Sequence, residues 1–297
     1  GASRGTGRRI GDRKMNVLSV RGLCKRYGSF ALRDVSFDVA PGSITGFIGR
    51  NGAGKTTTLK SLLDFVHPDA GEALFFGRPL SADEFGVKQA VGFASGGFGF
   101  YPLKRLRTVT DVTRRFYPSW DETAYRRYLA LFALDENKRV KELSEGMKVK
   151  YALALALSHR ARLLVLDEPT SGLDPVSRDE LLEIFLQLAQ DEGISILFST
   201  HITADLEKCA DHIVYLRRGE VAADADADAL HARYRTAALT AAQRDAAPEG
   251  LLLGCKRERE GFSALLRAED APRLGADTAP ASLEDIMVHL EKEDGGL

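Results

Sequence analysis

A glycine-rich stretch, GRNGAGKTT (49–57), collects the residue types that hold a polyphosphate. Gly49, Gly52 and Gly54 let the backbone curl until several N–H groups point at one anion, with Asn51 and Thr57 in the same segment. An apolar run, SITGFIG (43–49), precedes it and a helical run, TTTLKSLLDFV (56–66), follows. That is the strand–loop–helix context a phosphate-binding loop needs, and the helix N-terminus adds positive potential. Lys55 is expected to reach the β- and γ-phosphates of a nucleotide, and the Thr56 hydroxyl to sit on Mg2+.

Further carboxylates and a histidine extend the set. LLVLDEP (163–169) is an apolar run ending in Asp167, which places a carboxylate at the C-terminal edge of a strand, where nucleotides bind in open α/β sheets. Asp167 would support the Mg2+ shell, and Glu168 could polarise an attacking water. His201 closes the next strand run, as FSTH, and from there could sense a γ-phosphate. A fourth stretch, ELSEGMK (142–148), poses a different question. Ser144 is a helix N-cap, but Gly146 in the first turn costs helix stability and brings no packing of its own. Something must approach the backbone there.

These residues need elements to hold them. VLSV (17–20) and VSFDV (35–39) alternate like strands, with Pro41-Gly42 as a turn. Between Tyr101 and Ser144 the text turns charged and helical. SWDE (119–122) has capping-box spacing, and Tyr125, Tyr128, Leu129 and Phe132 form one apolar helix face. ALALAL (152–157) alternates like a strand, but its alanines and lack of β-branching favour a helix. LLVLDE and ISILFSTH (194–201) flank a helical segment over 178–190, the text of a parallel sheet covered on both faces. IVYLRRGEV (213–221) reads as one more strand, and ADADADA (223–229) as a linker or helix start. Beyond it, LLLGCKREREGFSALLRA (251–268) reads as a hairpin. SLEDIMVHLEKE (282–293) reads as a capped helix with Leu283, Ile286, Met287 and Leu290 on one face.

Composition excludes several classes. The 297 residues are 44% apolar and 28% charged with a net charge of −1, so no global charge points to nucleic acid or an anionic membrane. Cys24, Cys209 and Cys255 are scattered and odd in number, which fits free thiols in a reducing compartment and neither a disulfide scaffold nor a zinc site. No run approaches the roughly 18–20 apolar residues of a membrane-spanning helix. Residues 1–14, basic and nearly without apolar side chains, are expected to be a disordered tail or an expression-derived remnant.

GRNGAGKTT, LSEGM (143–147), LLVLDEP, SGLD (171–174) and STH, in this order, resemble the nucleotide-binding subunit of an ATP-binding cassette (ABC) transporter, over about Leu18 to Val221. The resemblance implies a P-loop NTPase cassette over 15–222. It has a mixed sheet core, an antiparallel β subdomain and a helical signature subdomain at about 100–158, with a small α+β accessory domain over 223–297. It implies an ATPase (ATP and water to ADP and phosphate) using Mg2+ and driving a separate permease from the cytoplasmic face of the membrane. It also answers the question posed by ELSEGMK: Ser144 and the Gly146 backbone close over the γ-phosphate held by a second subunit, head to tail. By the same resemblance Asp174 lies at the dimer seam and Tyr27 stacks on adenine; alone, Tyr27 reads as a plain strand aromatic. The short cassette, FSTHI (198–202) and the small C-terminal domain look most like bacterial exporters of drugs, peptide antibiotics or lipid-like molecules.

One position departs from the pattern. After VGFAS (91–95) the family places Gln or Glu, and this chain has GGFGFYP (96–102), with Gly96 near the expected place. Slow basal hydrolysis is the expectation, with Phe98, Phe100 and Tyr101 as the permease contact or, in the blander reading, local core. Two other readings remain. A chromosomal or ribosomal cassette ATPase would need a long coiled coil between Lys55 and Ser144 or a second cassette, and neither is in the sequence. An ATP-dependent dimerisation sensor is opposed by Glu168 and His201 and kept open by Gly96.

Overall fold

The computed structural model describes residues 15–95 and 101–292. β1 (Leu18–Arg26) and β2 (Ala31–Val39) form a hairpin. Its inward positions bury Leu18, Val20 and Leu23 against Leu32, Val35 and Phe37. β3 (Ile44–Ile48) is buried throughout and feeds α1 (Lys55–Leu62). β4 (Ala70–Phe75) and β5 (Arg78–Pro79) complete an outer sheet in the order β2-β1-β4-β5. α2 (Glu84–Ala90) leads into β6 (Val91–Ser95).

A helical layer follows, made of α3 (Leu106–Thr113), α4 (Glu122–Leu131) and α5 (Glu145–Ser158). Tyr125, Tyr128, Leu129 and Phe132 are all buried, the face their spacing predicts, and ALALAL lies inside α5. Thr110 Oγ1 lies 2.7 Å from both the Tyr125 and the Tyr151 hydroxyls, a buried polar link between α3, α4 and α5.

The chain then returns to the centre through β7 (Leu163–Asp167), α6 (Pro175–Gln190), β8 (Ser195–Thr200), α7 (Thr203–Cys209), β9 (His212–Arg217) and β10 (Glu220–Asp226). The six-stranded sheet runs β10-β9-β3-β8-β7-β6, parallel except for β10. Burial on both faces explains its continuous apolar strands. α6 covers one face with Leu181, Leu182, Phe185 and Leu188, each worth about 1.5–3 kcal/mol of burial.

The C-terminal part comprises α8 (Ala227–Arg233), β11 (Tyr234–Leu239), α9 (Ala241–Ala246), β12 (Gly254–Glu258), β13 (Gly261–Arg267), α10 (Ala271–Leu274), β14 (Thr278–Pro280) and α11 (Leu283–Lys292). Its sheet is antiparallel, β12-β13-β11-β14. α11 carries a reciprocal cap, Ser282 with Asp285, and buries Leu283, Ile286 and Met287 in the same apolar cluster as Leu206, Cys209 and Tyr215 of the cassette.

Four local readings need correction. The N-cap of α4 is Asp121, whose carboxylate accepts the Ala124 N–H at 2.9 Å. Aspartate caps as well as serine, and Ser119 is drawn away to donate to the His159 carbonyl. α1 stops at Leu62 because Asp64 turns the chain with φ of +58°. IVYLRRGEV is two strands, β9 and β10, split where Arg218 and Gly219 both take positive φ, as a tight hairpin turn demands. ADADADA is a helix start and no linker: up to Asp226 its alternation is that of β10, with Ala225 buried and the aspartates outside, and from Ala227 it opens α8.

Candidate functional site

The loop over 49–57 leaves β3 under tight steric control. A Cβ on Gly49 would lie 2.3 Å from the Leu216 carbonyl oxygen of β9, so only glycine fits. Gly54, with φ of +110°, is closed in by Leu32 and Phe30, whose nearest atoms would stand 2.5 and 2.7 Å from a Cβ. Gly54 also serves as N-cap of α1 without any side-chain cap, which leaves the first-turn N–H groups for an anion. Asn51 and Gly52 are exposed at the tip of the loop, and Thr57 is half-buried behind it.

Lys55 is 5% exposed. Its Nζ donates to the Gly49 carbonyl at 2.7 Å and lies 3.1 Å from Glu168 Oε1. The other carboxylate oxygen of Glu168 lies 2.8 Å from His201 Nδ1. Glu168 has φ of +51°, and its N–H donates to the Ser199 carbonyl and hydroxyl. Lys55, Glu168 and His201, far apart in sequence, thus form one connected chain of polar contacts.

Asp167 is held by a different logic. In register, Ser95, Asp167 and Ser199 lie side by side on β6, β7 and β8. Ser199 Oγ donates to Asp167 Oδ1 at 2.7 Å, Ser95 Oγ to Oδ2 at 3.1 Å, and Thr56 Oγ1 to Oδ1 at 3.1 Å. The Thr56 hydroxyl and the Asp167 carboxylate are hard oxygen donors that suit Mg2+. Among the described residues no group of three or more His, Cys, Asp or Glu could hold a metal. An ion here would therefore draw its remaining oxygens from phosphate and water, as Mg2+ commonly does.

Ser144, Gly146 and Asp174 gather elsewhere. Ser144 Oγ accepts the Met147 N–H at 3.2 Å and caps α5. A Cβ on Gly146 would meet Leu173 and Ser177 only at 3.7 Å, ordinary contact, so nothing within the chain requires glycine. Asp174 caps α6, accepting the Val176 and Ser177 N–H groups and the Ser177 hydroxyl. Those bonds, the Ser177 hydroxyl first, hold its carboxyl below the ordinary carboxylate range. Tyr27 is 46% exposed, near Lys25 Nζ, and its N–H donates to the carbonyl of Phe30, whose ring abuts Gly54. Gly96, Phe98 and Phe100 lie outside the described residues, and Tyr101 is exposed.

Sequence reasoning passed over four residues of this site. Ser95 and Ser199 end strands, but only the strand order aligns them with Asp167. Asp205, buried on α7, accepts the Thr170 hydroxyl at 2.6 Å, and burial pushes its carboxyl above the ordinary range. It ties the loop after Glu168 to the helix after His201, and a lone Asp in a helical run gives no sign of this.

Comparison with known proteins gives a consistent answer. The family model for ABC transporters matches residues 32–171. The chain is 32% identical over 222 residues to the bacitracin transport ATP-binding protein BcrA of Bacillus licheniformis, covering 74% of this chain and 72% of that one. It is 36% identical over 219 residues to the Nod factor export ATP-binding protein I of Burkholderia orbicola (strain AU 1054), covering 72% of each. A solved structure described as the ATP binding subunit of an ABC transporter superposes with a TM-score of 0.65 at 30% identity, covering 72% of this chain and 92% of that one.

Proposed function

The chain belongs to the ABC transporter family as an ATP-binding subunit, and from that premise we propose that it hydrolyses ATP to drive a separate membrane permease. The observation that carries this reading is Glu168, held between Lys55 and His201 beside the Thr56–Asp167 pair. Lys55 and the free N–H groups of α1 hold the β- and γ-phosphates. Thr56 and Asp167 hold Mg2+, which when bound neutralises charge on the phosphates. Glu168 orients the attacking water and takes up its proton, and His201 keeps the carboxylate aimed. Tyr27 stacks on the base.

Two such chains pair head to tail, so that Ser144 and the Gly146 backbone of one complete the phosphate site of the other. A Cβ at Gly146 would make only ordinary contacts with Leu173 and Ser177, so no close approach among the described residues calls for glycine there, which supports this reading. The transported molecule is exported, a reading supported by the likeness to a Nod factor export protein. No helix among the described residues is long and apolar enough to cross a membrane; in this reading the pathway belongs to the partner. A groove between β6 and α5, lined by Phe65, Phe93, Tyr117 and His159, offers that partner an apolar seat.

Affinity isolation of the tagged chain from detergent-solubilised membranes of its own host tests the assignment. A polytopic membrane protein should co-isolate and raise phosphate release from MgATP. Recovery of the chain without any membrane protein, from cells that make it normally, would contradict the transport role.

A further inference from the structure

We infer that Glu291, on the last helix, positions the phosphate-binding loop, so that nucleotide affinity depends in part on the C-terminal region. The inference rests on the reading of residues 49–57 as the nucleotide site.

α11 is tied to the site at both ends. At its start the Leu283 N–H donates to Glu207 Oε1 at 2.8 Å, and Glu207 lies on α7, the helix that follows His201. At its end Glu291 Oε1 accepts the Tyr215 hydroxyl at 2.8 Å, and Oε2 stands 3.7 Å from Arg50 Nη1. Arg217 Nε is 4.0 Å from the same carboxylate. Between these ends the apolar face of α11 is sunk in the cluster that contains Leu206 and Tyr215.

The position of Tyr215 gives these contacts their reach. Tyr215 is 1% exposed and pairs in register with Ile48, the last residue of β3 before the loop. The next residue, Leu216, supplies the carbonyl against which Gly49 is seated without room for a Cβ. Glu291 therefore bears on the first two loop residues by two routes, through Arg50 directly and through β9 on Gly49. The routes are unequal. Arg50 is 72% exposed at its side chain, and an exposed ion pair holds weakly. A buried hydroxyl donating to a carboxylate holds more strongly, and it has no other purpose in the proposed chemistry. Glu291 touches no nucleotide in this scheme; it is a positioning residue.

Calorimetry of MgADP with the full chain tests the inference without turnover. Glu291→Ala should weaken binding by roughly three- to tenfold, the net worth of one ordinary hydrogen bond, since part of the loss at Tyr215 reaches the loop only through β9. In steady state the same variant should raise KM for ATP and leave kcat near the parental value, a split that general loss of structure would not produce. Glu291→Gln, which keeps an acceptor for Tyr215, should fall between, and so should Tyr215→Phe. The exchange Arg50→Glu with Glu291→Arg should recover part of the affinity lost in Arg50→Glu alone. Wild-type affinity in folded Glu291→Ala overturns the inference. Should that variant not fold, wild-type affinity in both Glu291→Gln and Tyr215→Phe overturns it equally. A parental chain that binds no MgADP removes the nucleotide reading and this inference together, whereas parental binding with unaffected variants removes this inference alone.

Discussion

Glu168 Oε1 stands 3.1 Å from Lys55 Nζ, so the base proposed for hydrolysis and the cation proposed for the γ-phosphate hold each other. On the proposed mechanism an arriving phosphate would compete with Glu168 for Lys55 and free the carboxylate for water. Glu168→Gln keeps the shape and removes the charge. Its hydrolysis rate should fall by about 10²–10⁴-fold, the usual contribution of a positioned base, while calorimetric affinity for MgATP stays equal or rises. Turnover at the parental rate would take Glu168 out of the mechanism.

The separation of Ser144 and Gly146 from Lys55 makes a mixing experiment decisive. Lys55→Ala removes the phosphate grip, and Ser144→Arg blocks the opposing surface. Each chain alone should be inactive. A mixed dimer retains one site with both halves intact, so mixing should restore partial hydrolysis. Silence in a mixture shown by native mass spectrometry to contain mixed dimers would argue against a shared site.

Stability of the helical layer turns on Thr110. Thr110→Val removes the hydroxyl that links Tyr125 to Tyr151, while Tyr125 keeps the Glu136 carboxylate and Tyr151 keeps the Leu106 carbonyl at 2.9 Å. The loss of a hydrogen-bonded link whose partners stay satisfied costs about 0.5–1.5 kcal/mol. Urea unfolding should show a loss of that size with the slope preserved, and nucleotide affinity should hold. Unaltered stability would mean that the tyrosines find other partners.

His212 sets a pH dependence. Its ring nitrogens face Asp224 at 2.5 Å and Asp226 at 2.9 Å, and the hydrogen bond to Asp224 leads in raising its pKa above the ordinary 6.5. The folded state thus favours the protonated ring. The stabilisation is fully present below pH 6.5 and is lost as pH rises through the elevated value. The melting temperature of the parent minus that of His212→Gln should be largest in acid and shrink in alkali. A difference independent of pH would show the link to be uncharged.

Much of the site was legible because its chemistry is local. GRNGAGKTT fixes loop, charge and hydroxyl within nine residues, and LLVLDEP carries its carboxylates at the end of an unmistakable strand. The cassette fold follows from those strands and the helices between them. The hydroxyls that hold Asp167 were not legible, because Ser95 and Ser199 meet it only through the pairing of β6, β7 and β8, and strand order leaves no trace in periodicity. Ser119 and Asp121 show the same limit at short range. Both suit an N-cap, and the competition was settled by the His159 carbonyl, which belongs to the end of another helix. Glu291 is the extreme case, acting on a loop at the far end of the sequence.

The backbone beneath Glu168 has its own consequence. Its φ of +51° is a conformation that glycine and asparagine accept readily, and that other residues occupy at a cost of about 1 kcal/mol. Selection for heat resistance alone, blind to turnover, should let position 168 drift toward those two residues. Selection for growth that depends on the transported molecule should hold it at glutamate. Position 168 would then record which pressure a lineage has lived under, with thermal robustness and catalytic work pulling one backbone angle in opposite directions.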